Sequence, residues 1–199
     1  SRDAGTSTVL HNVTKLAAAR ELSTSVRANK ALIFVEDVTA KKLLSQIIDR
    51  YAADLRATTS IIEIGSDDDV RRMVMKLREQ EVKAVGVRDP DVGEDGQINL
   101  FSLPGNVSPE QVLLEDQNIT RADSLYSGFS AAMARATTQG RGYAGSARAK
   151  KIMRALPIEL QQSADFVSDR LAIAWLSSGL NEDSARELVT NIRNAIEAD

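Results

Sequence analysis

Apolar residues along this chain change their period several times, and each change marks an element. Residues 32–35, Leu-Ile-Phe-Val, are apolar without alternation, the pattern of a strand covered on both faces. Residues 39–55 then carry Leu43, Leu44, Ile47, Ile48 and Tyr51 on one stripe, which predicts a helix. The β-branched run at 59–64 predicts a second strand. Gly65-Ser-Asp-Asp-Asp69 opens a helix whose buried face is Val70, Met73, Val74 and Leu77. Ser66 is placed to cap it, and the three aspartates suit its positive N-terminus better than they suit a metal. Residues 82–87 give a third strand, and Ile98, Leu100, Phe101 and Leu103 a fourth. Upstream, Val9, Leu10, Val13, Leu16, Ala17 and Leu22 predict an amphipathic lead-in helix over 8–28. Beyond Asn118 no strand pattern remains. Helices are expected at about 120–137, 145–156, 157–178 and 182–197, with an exposed loop or hinge at 139–145. Pro157 is expected to start the third of these helices, and Gly179 to end it before Asn181 caps the last. Phe166, Leu171, Ile173, Trp175 and Leu176 read as core, with Trp175 a buried anchor in preference to a base-stacking platform.

Strands that alternate with helices predict an α/β fold: a Rossmann-like sheet of mostly parallel strands with flanking helices, followed by an α-helical subdomain. The divisions are a lead-in over 1–29, a core over 30–118, and helices over 119–199. The carboxyl ends of parallel strands share one edge, where ligands bind. Two strands here stop abruptly on acid at that edge: Lys30-Ala-Leu-Ile-Phe-Val-Glu-Asp37 and Val85-Gly-Val-Arg-Asp-Pro-Asp91. Glu36, Asp89 and Asp91 are therefore expected to meet. Carboxylates gathered without a cation repel, so a hard divalent metal accounts for the cluster. Pro90 fixes its own φ and pushes Asp89 toward an extended conformation, stiffening the segment that carries both aspartates. Farther on, Asn106 or Ser108 is placed to cap a short helix with Pro109 at its first position, which puts Glu110 in the first turn.

Composition removes several alternatives. There is no cysteine, and His11 is the only histidine. Disulfides, thiolate zinc, His-based zinc and Ser-His or Cys-His catalysis are therefore not expected. No Gly-x-x-x-x-Gly-Lys-Ser/Thr loop is present, so ATP binding by that route is not expected. No apolar run approaches the roughly 20 residues of a membrane span. The opening Ser1-Arg-Asp-Ala-Gly is polar and lacks an initiating Met, which reads as an excised fragment with a cytoplasmic setting. The net charge of −3 conceals an asymmetry. From Asp89 to Asn118 there are seven acids and no Lys or Arg; from Arg121 to Arg154 there are seven bases and one acid, Asp123. An acidic metal site beside a basic segment at 121–154 suits a phosphodiester: metal for the chemistry, bases for the backbone.

A strand ending in Val-Glu, then helix, strand, helix and a strand ending in Asp-x-Asp resembles the Toprim domain of topoisomerases, primases and OLD-type nucleases. Leu103-Pro-Gly-Asn-Val-Ser-Pro-Glu-Gln-Val-Leu-Leu114 is similar to the OLD branch, as is Ala149-Lys-Lys-Ile-Met-Arg-Ala-Leu156, although OLD-like sequences have glycine where Ala149 stands. The resemblance implies a metal-dependent DNA endonuclease that uses Mg²⁺ or Mn²⁺, two ions per site. It implies Glu36, Asp89, Asp91 and Glu110 as metal ligands, with Glu36, Asp89, Asp91 and Lys150 catalytic. Without it, Glu110 would be read as compensation for the helix dipole. DNA is the implied partner, with Arg141, Arg148, Lys151 and Arg154 on the phosphate backbone. An ABC-type ATPase would precede the domain in the full-length protein. The family often has a further acid at the position of Ala40, where an acid is accordingly expected to be tolerated. Asp37 replaces the family's usual glycine and is expected to point off a different face.

Two other classes compete. One is a Toprim-like binding module that has lost its metal, for which Ala40 speaks. The other is a receiver-like phosphoacceptor domain with Glu36 and Asp37 as its acid pair and Asp89 as the phosphorylated residue. Against the receiver, the chain turns helical instead of completing its β/α units. Metal-dependent cleavage, or labelling of Asp89 by acetyl phosphate, separates the three.

Overall fold

In a computed structural model, the structure describes residue 20, residues 22–24 and residues 30–197. The lead-in helix expected over 8–28 lies otherwise outside the described residues; of it, 20 and 22–24 are helical. The core runs β1 (Ala31–Val35), α1 (Val38–Tyr51), α2 (Leu55–Thr58), β2 (Thr59–Glu63), α3 (Asp67–Arg78), β3 (Ala84–Arg88) and β4 (Leu100–Ser102). The strands form one parallel sheet in the order β2-β1-β3-β4. From β1 the chain steps to one side to make β2, then crosses back over β1 to make β3. The strand order therefore reverses between β1 and β3, and a crevice opens there at the carboxyl edge. The protein is an α/β fold, as its alternating pattern implies.

All five residues of β1 are buried, which explains its unbroken apolar run. Ile33 and Val35 face α1 and the later helices, while Leu32 and Phe34 face α3 with Ile62, Val70, Val74 and Leu100. Gly86 in β3 lies on the α3 side. A Cβ there would stand 2.7 Å from Val70 Cγ1, so this glycine is what lets α3 approach the sheet. The fourth strand is shorter than its apolar pattern predicts. Residues 96–98 form a 3₁₀ turn, and Asn99 takes a left-handed conformation, φ 57°. Pairing with β3 begins only at Leu100. Asn tolerates that conformation well, and it resets the chain's direction before the strand starts.

The remaining helices are α4 (Pro109–Leu113), α5 (Asp116–Leu125), α6 (Phe129–Ala136), α7 (Gly145–Leu160), α8 (Ala164–Leu176) and α9 (Glu182–Glu197). One apolar cluster runs from Ile33 and Val85 through Leu113, Phe129, Leu156 and Leu171 to Ile192. The described helices after residue 118 thus share their core with the sheet. α9 packs on α1 and across β3 and β4. Two boundaries differ from the sequence expectation. The helix expected at 120–137 breaks at Tyr126–Gly128, where Gly128 has φ 103°, and the Asp123 carboxylate accepts from the Gly128 and Ser130 N–H groups at 2.8 and 3.3 Å. Pro157 does not start a helix but lies buried inside α7. Its missing N–H leaves one carbonyl without an intrahelical donor. The buried stripe of Ile152, Met153 and Leu156 carries the helix through to Leu160. Gln161, φ 54°, then stops it, and Ser163 caps α8 by accepting from Phe166 N–H at 3.1 Å.

Candidate functional site

The crevice edge is built by three local turns. β1 ends at Val35, and α1 starts at Val38. Asp37 makes that abrupt change possible: its Oδ1 accepts from the Thr39 and Ala40 N–H groups at 2.9 and 3.0 Å, capping the helix. Glu36 is left between strand and cap, half-buried. At β3, Val92 N–H donates to Asp89 O at 3.2 Å, closing a turn with Pro90 at its second position. Asp89 is 8% exposed. Pairing of Val35 with Val87 sets Glu36 level with Arg88 and one step from Asp89. At α4, Pro109 occupies the first turn and Glu110 follows it into the interior, 2% exposed. Ser108 does not cap α4 as expected; its hydroxyl hydrogen-bonds Gln111 Oε1 at 3.3 Å. Lys150 enters from α7, with Nζ 3.4 Å from Asp37 Oδ2 and 3.9 Å from Glu36 Oε1.

These groups carry more negative charge than one ammonium can balance. Burial pushes Asp89 up to about 7, and the charges of Glu36, Asp37 and Glu110 add to it against Lys150. Burial likewise raises Glu110 to about 7, with Asp37 contributing through both its charge and a hydrogen bond. Glu36 is raised by burial in the first place, and Lys150 opposes this while Asp37, Asp67 and Asp91 reinforce it. For Lys150, burial works downward, but Glu110, Asp37 and Glu36 together outweigh it, so its net shift is upward. Glu110 Oε2 is buried and accepts no hydrogen bond from the described residues. A buried, unsatisfied carboxylate oxygen calls for a proton or a cation.

The structure therefore brings together Glu36, Asp89, Glu110 and Lys150. Asp91 is exposed at the rim, acting on Glu36 through its charge. Among the described residues, no three His, Cys, Asp or Glu side chains stand as a ready metal-ligand set. The donor chemistry still fits a hard divalent ion, since every candidate ligand is a carboxylate. Asp37 corrects the expectation that it points away: it caps α1 with one oxygen and faces Lys150 with the other. The Asp-x-Thr cap signature at the strand end was the signal for it. Ala40 corrects another: it is fully buried against the core, so an acid there would have to enter apolar packing. Arg88 had no expected role. Its side chain is 7% exposed, with Nη1 3.2 Å from Asp67 Oδ1 and Nη2 donating to the Gly93 carbonyl. It ties the start of α3 to the loop that carries Asp91.

The aspartates at 67–69 act as the capping reading expects. Ser66 Oγ accepts from Asp69 N–H at 3.2 Å, and Asp69 also pairs with Arg72 at 2.8 Å. Arg141, Arg148, Lys151 and Arg154 are all exposed and have no carboxylate within ion-pairing distance among the described residues. Lys150 and Lys151 diverge: Lys151 Nζ sits 5.2 Å from the centre of the Tyr143 ring. Trp175 is buried, 4% exposed. Among the described residues no helix is long and apolar enough to cross a membrane. No protein-family model, curated protein or solved structure matches the chain.

Proposed function

We propose that this chain is a Mg²⁺-dependent DNA endonuclease domain of the kind found in OLD-like Toprim proteins. The observation that carries this reading is the meeting of Glu36, Asp37, Asp89 and Glu110 around a single lysine at the switch point of a parallel sheet. Lys42 and Arg193 each face two exposed or half-exposed acids, whereas Lys150 faces a group in which Asp89 and Glu110 are buried. Glu36, Asp89 and Glu110 would hold Mg²⁺ or Mn²⁺, two ions in the family's pattern, with Asp91 reaching in from the rim. A bound ion supplies Lewis-acid stabilisation of charge on the phosphodiester oxygens. Lys150 places an ammonium among the same carboxylates, where it can offset charge developing on the scissile phosphate or the leaving oxygen. Without a metal, burial and neighbouring acids raise Asp89 and Glu110 to about 7, and a bound cation would take the place of the protons they hold. Arg141, Arg148, Lys151 and Arg154 supply unpaired cations for the DNA backbone. By the same resemblance, an ABC-type ATPase domain is proposed as the partner of this chain. The test is cleavage of supercoiled plasmid in Mg²⁺ or Mn²⁺ against EDTA. A purified, folded chain that leaves plasmid intact in both metals overturns the reading.

A metal-free binding module is the second reading. It is favoured by the absence of a ready three-carboxylate set among the described residues and by Ala40 in the core. It predicts DNA binding indifferent to metal, without cleavage. A receiver-like role fits less well, because Asp89 is buried and no fifth strand follows β4 among the described residues. Labelling of Asp89 by acetyl phosphate would favour it.

A further inference from the structure

α7 presents Lys150 to the carboxylates and a different face to solvent. On that outer face lies an open groove of about 590 Å³, lined by Tyr143, Lys151, Arg154, Ile158 and Glu159. Its volume falls within the ~300–1,000 Å³ usual for ligand sites. Two of its lining residues offer apolar surface to solvent: Tyr143 is 49% exposed and Ile158 76% exposed. The tyrosine is held in place. Gly140 packs so closely on α7 that a Cβ would stand 2.9 Å from Arg148 Cγ and 3.1 Å from Ile152 Cγ1. Tyr143 N–H donates to the Gly140 carbonyl at 3.2 Å, and Gly142, φ +82°, makes the turn between them. The one acid of the groove, Glu159, is neutralised by Arg135 at 2.6 Å. Lys151, over the Tyr143 ring, and Arg154, in the same groove, have no carboxylate within ion-pairing distance among the described residues.

We propose that this groove binds an unpaired nucleotide, with its base stacked on Tyr143 and the flanking phosphates on Lys151 and Arg154. The proposal rests on the nuclease reading and narrows its substrate to DNA with a single-stranded segment. Every base offers a π-face to an aromatic platform, and a neighbouring cation serves the phosphate that follows. Lys151 lies over the ring on a flexible stem, so it can pass to a phosphate as the base takes its place. An acidic protein segment would satisfy the two cations but has no need of the ring.

The test is fluorescence anisotropy in EDTA, where nothing is cut, with the whole chain. The probes are an oligothymidylate of about 12 nucleotides and an abasic backbone of the same length. Tyr143→Ala is expected to weaken binding of the oligothymidylate by about tenfold or more, with its salt dependence unchanged, and Tyr143→Phe to keep it. The abasic strand is expected to bind wild type and Tyr143→Ala alike. Lys151→Ala and Arg154→Ala are each expected to weaken both probes and lower the salt slope by about one. Equal binding of oligothymidylate by wild type and Tyr143→Ala overturns the proposal, as does an equal loss on the abasic strand. Displacement of oligothymidylate by a Glu- and Phe-containing peptide at lower concentration than unlabelled oligothymidylate also overturns it, in favour of a protein partner. Plasmid cleavage by the wild-type chain is scored separately, so equal oligothymidylate binding by Tyr143→Ala, beside a wild type that cuts, removes this inference alone.

Discussion

Two groups of acids in this protein are treated in opposite ways. Asp67, Asp68 and Asp69 are consecutive, and the fold absorbs them: Asp67 pairs with Arg88, Asp69 with Arg72 and the Ser66 cap, and Asp68 faces solvent. The adjacent Glu36 and Asp37 and the distant Asp89 and Glu110 come from three separate turns, and the topology gathers them around one lysine. The first group stabilises a helix start. The second holds charge in a partly dry crevice where ionisation is resisted. Acids matched by a local cap or cation are thus the structural ones here, and acids gathered by the topology around one lysine make the candidate site.

The largest expected effect separates the two groups by activity. Glu36→Gln and Asp89→Asn are each expected to lower metal-dependent plasmid cleavage by at least ~10²-fold, and Lys150→Ala by a similar factor at saturating DNA. Asp68→Asn should cleave as wild type does. Full activity in Asp89→Asn would show that the gathered acids are not the site.

Next comes the ion pair that joins the regions. Arg88→Leu leaves Asp67 half-buried without its cation and frees the Gly93 carbonyl, which should cost about 3 kcal/mol in urea denaturation with an unchanged slope. A loss below about 0.5 kcal/mol would mean that solvent already satisfies Asp67.

The third prediction concerns pH. The folded Asp89 carboxyl titrates at about 7, against 3.8 ordinarily. A raised carboxyl favours folding below its ordinary pKa, and that contribution is lost as pH climbs through the folded value. In EDTA, stability is therefore expected to fall between about pH 4 and about pH 8, and Asp89→Asn to recover about 1–2 kcal/mol at the upper end after allowance for solvent screening. A flat stability profile over that range would mean that the crevice is wetter than its burial implies. The smallest effect belongs to the structural acids: Ser66→Ala should cost about 1 kcal/mol and leave cleavage unchanged.

The periodicity of the chain made the sheet and much of the crevice legible. Strands buried on both faces have no polar register to obscure them, and an acid at the end of such a run stands out. Glu110 entered through the resemblance to OLD-like sequences alone, since Pro109 marks a helix start at which an acid reads as dipole compensation. What stayed hidden depended on contacts between distant residues or on a residue doing two things. Asp37 was expected to point off a different face; the sequence next to it carries a cap signature, but nothing local says that its second oxygen meets α7. Arg88 reaches Asp67 and Gly93, which only the folded chain brings together. Ala40 could be matched to a family position, but its burial comes from the apolar core that α1 shares with the sheet and the later helices. Pro157 punctuates sequence strongly, yet a helix held by a buried stripe tolerates one missing hydrogen bond. The amphipathic pattern of α9 gives it an apolar face without naming the strands that face covers.

That last helix has a consequence for how the molecule comes into being. Leu188, Val189 and Ile192 close the face of the sheet over β3 and β4, yet they are made some ninety residues after those strands. A nascent chain that has emerged only as far as Gly179 holds a parallel sheet with one apolar flank uncovered. Assembly is therefore non-local and late, and the bare flank is the surface on which a chaperone, or a second stalled chain, would settle first.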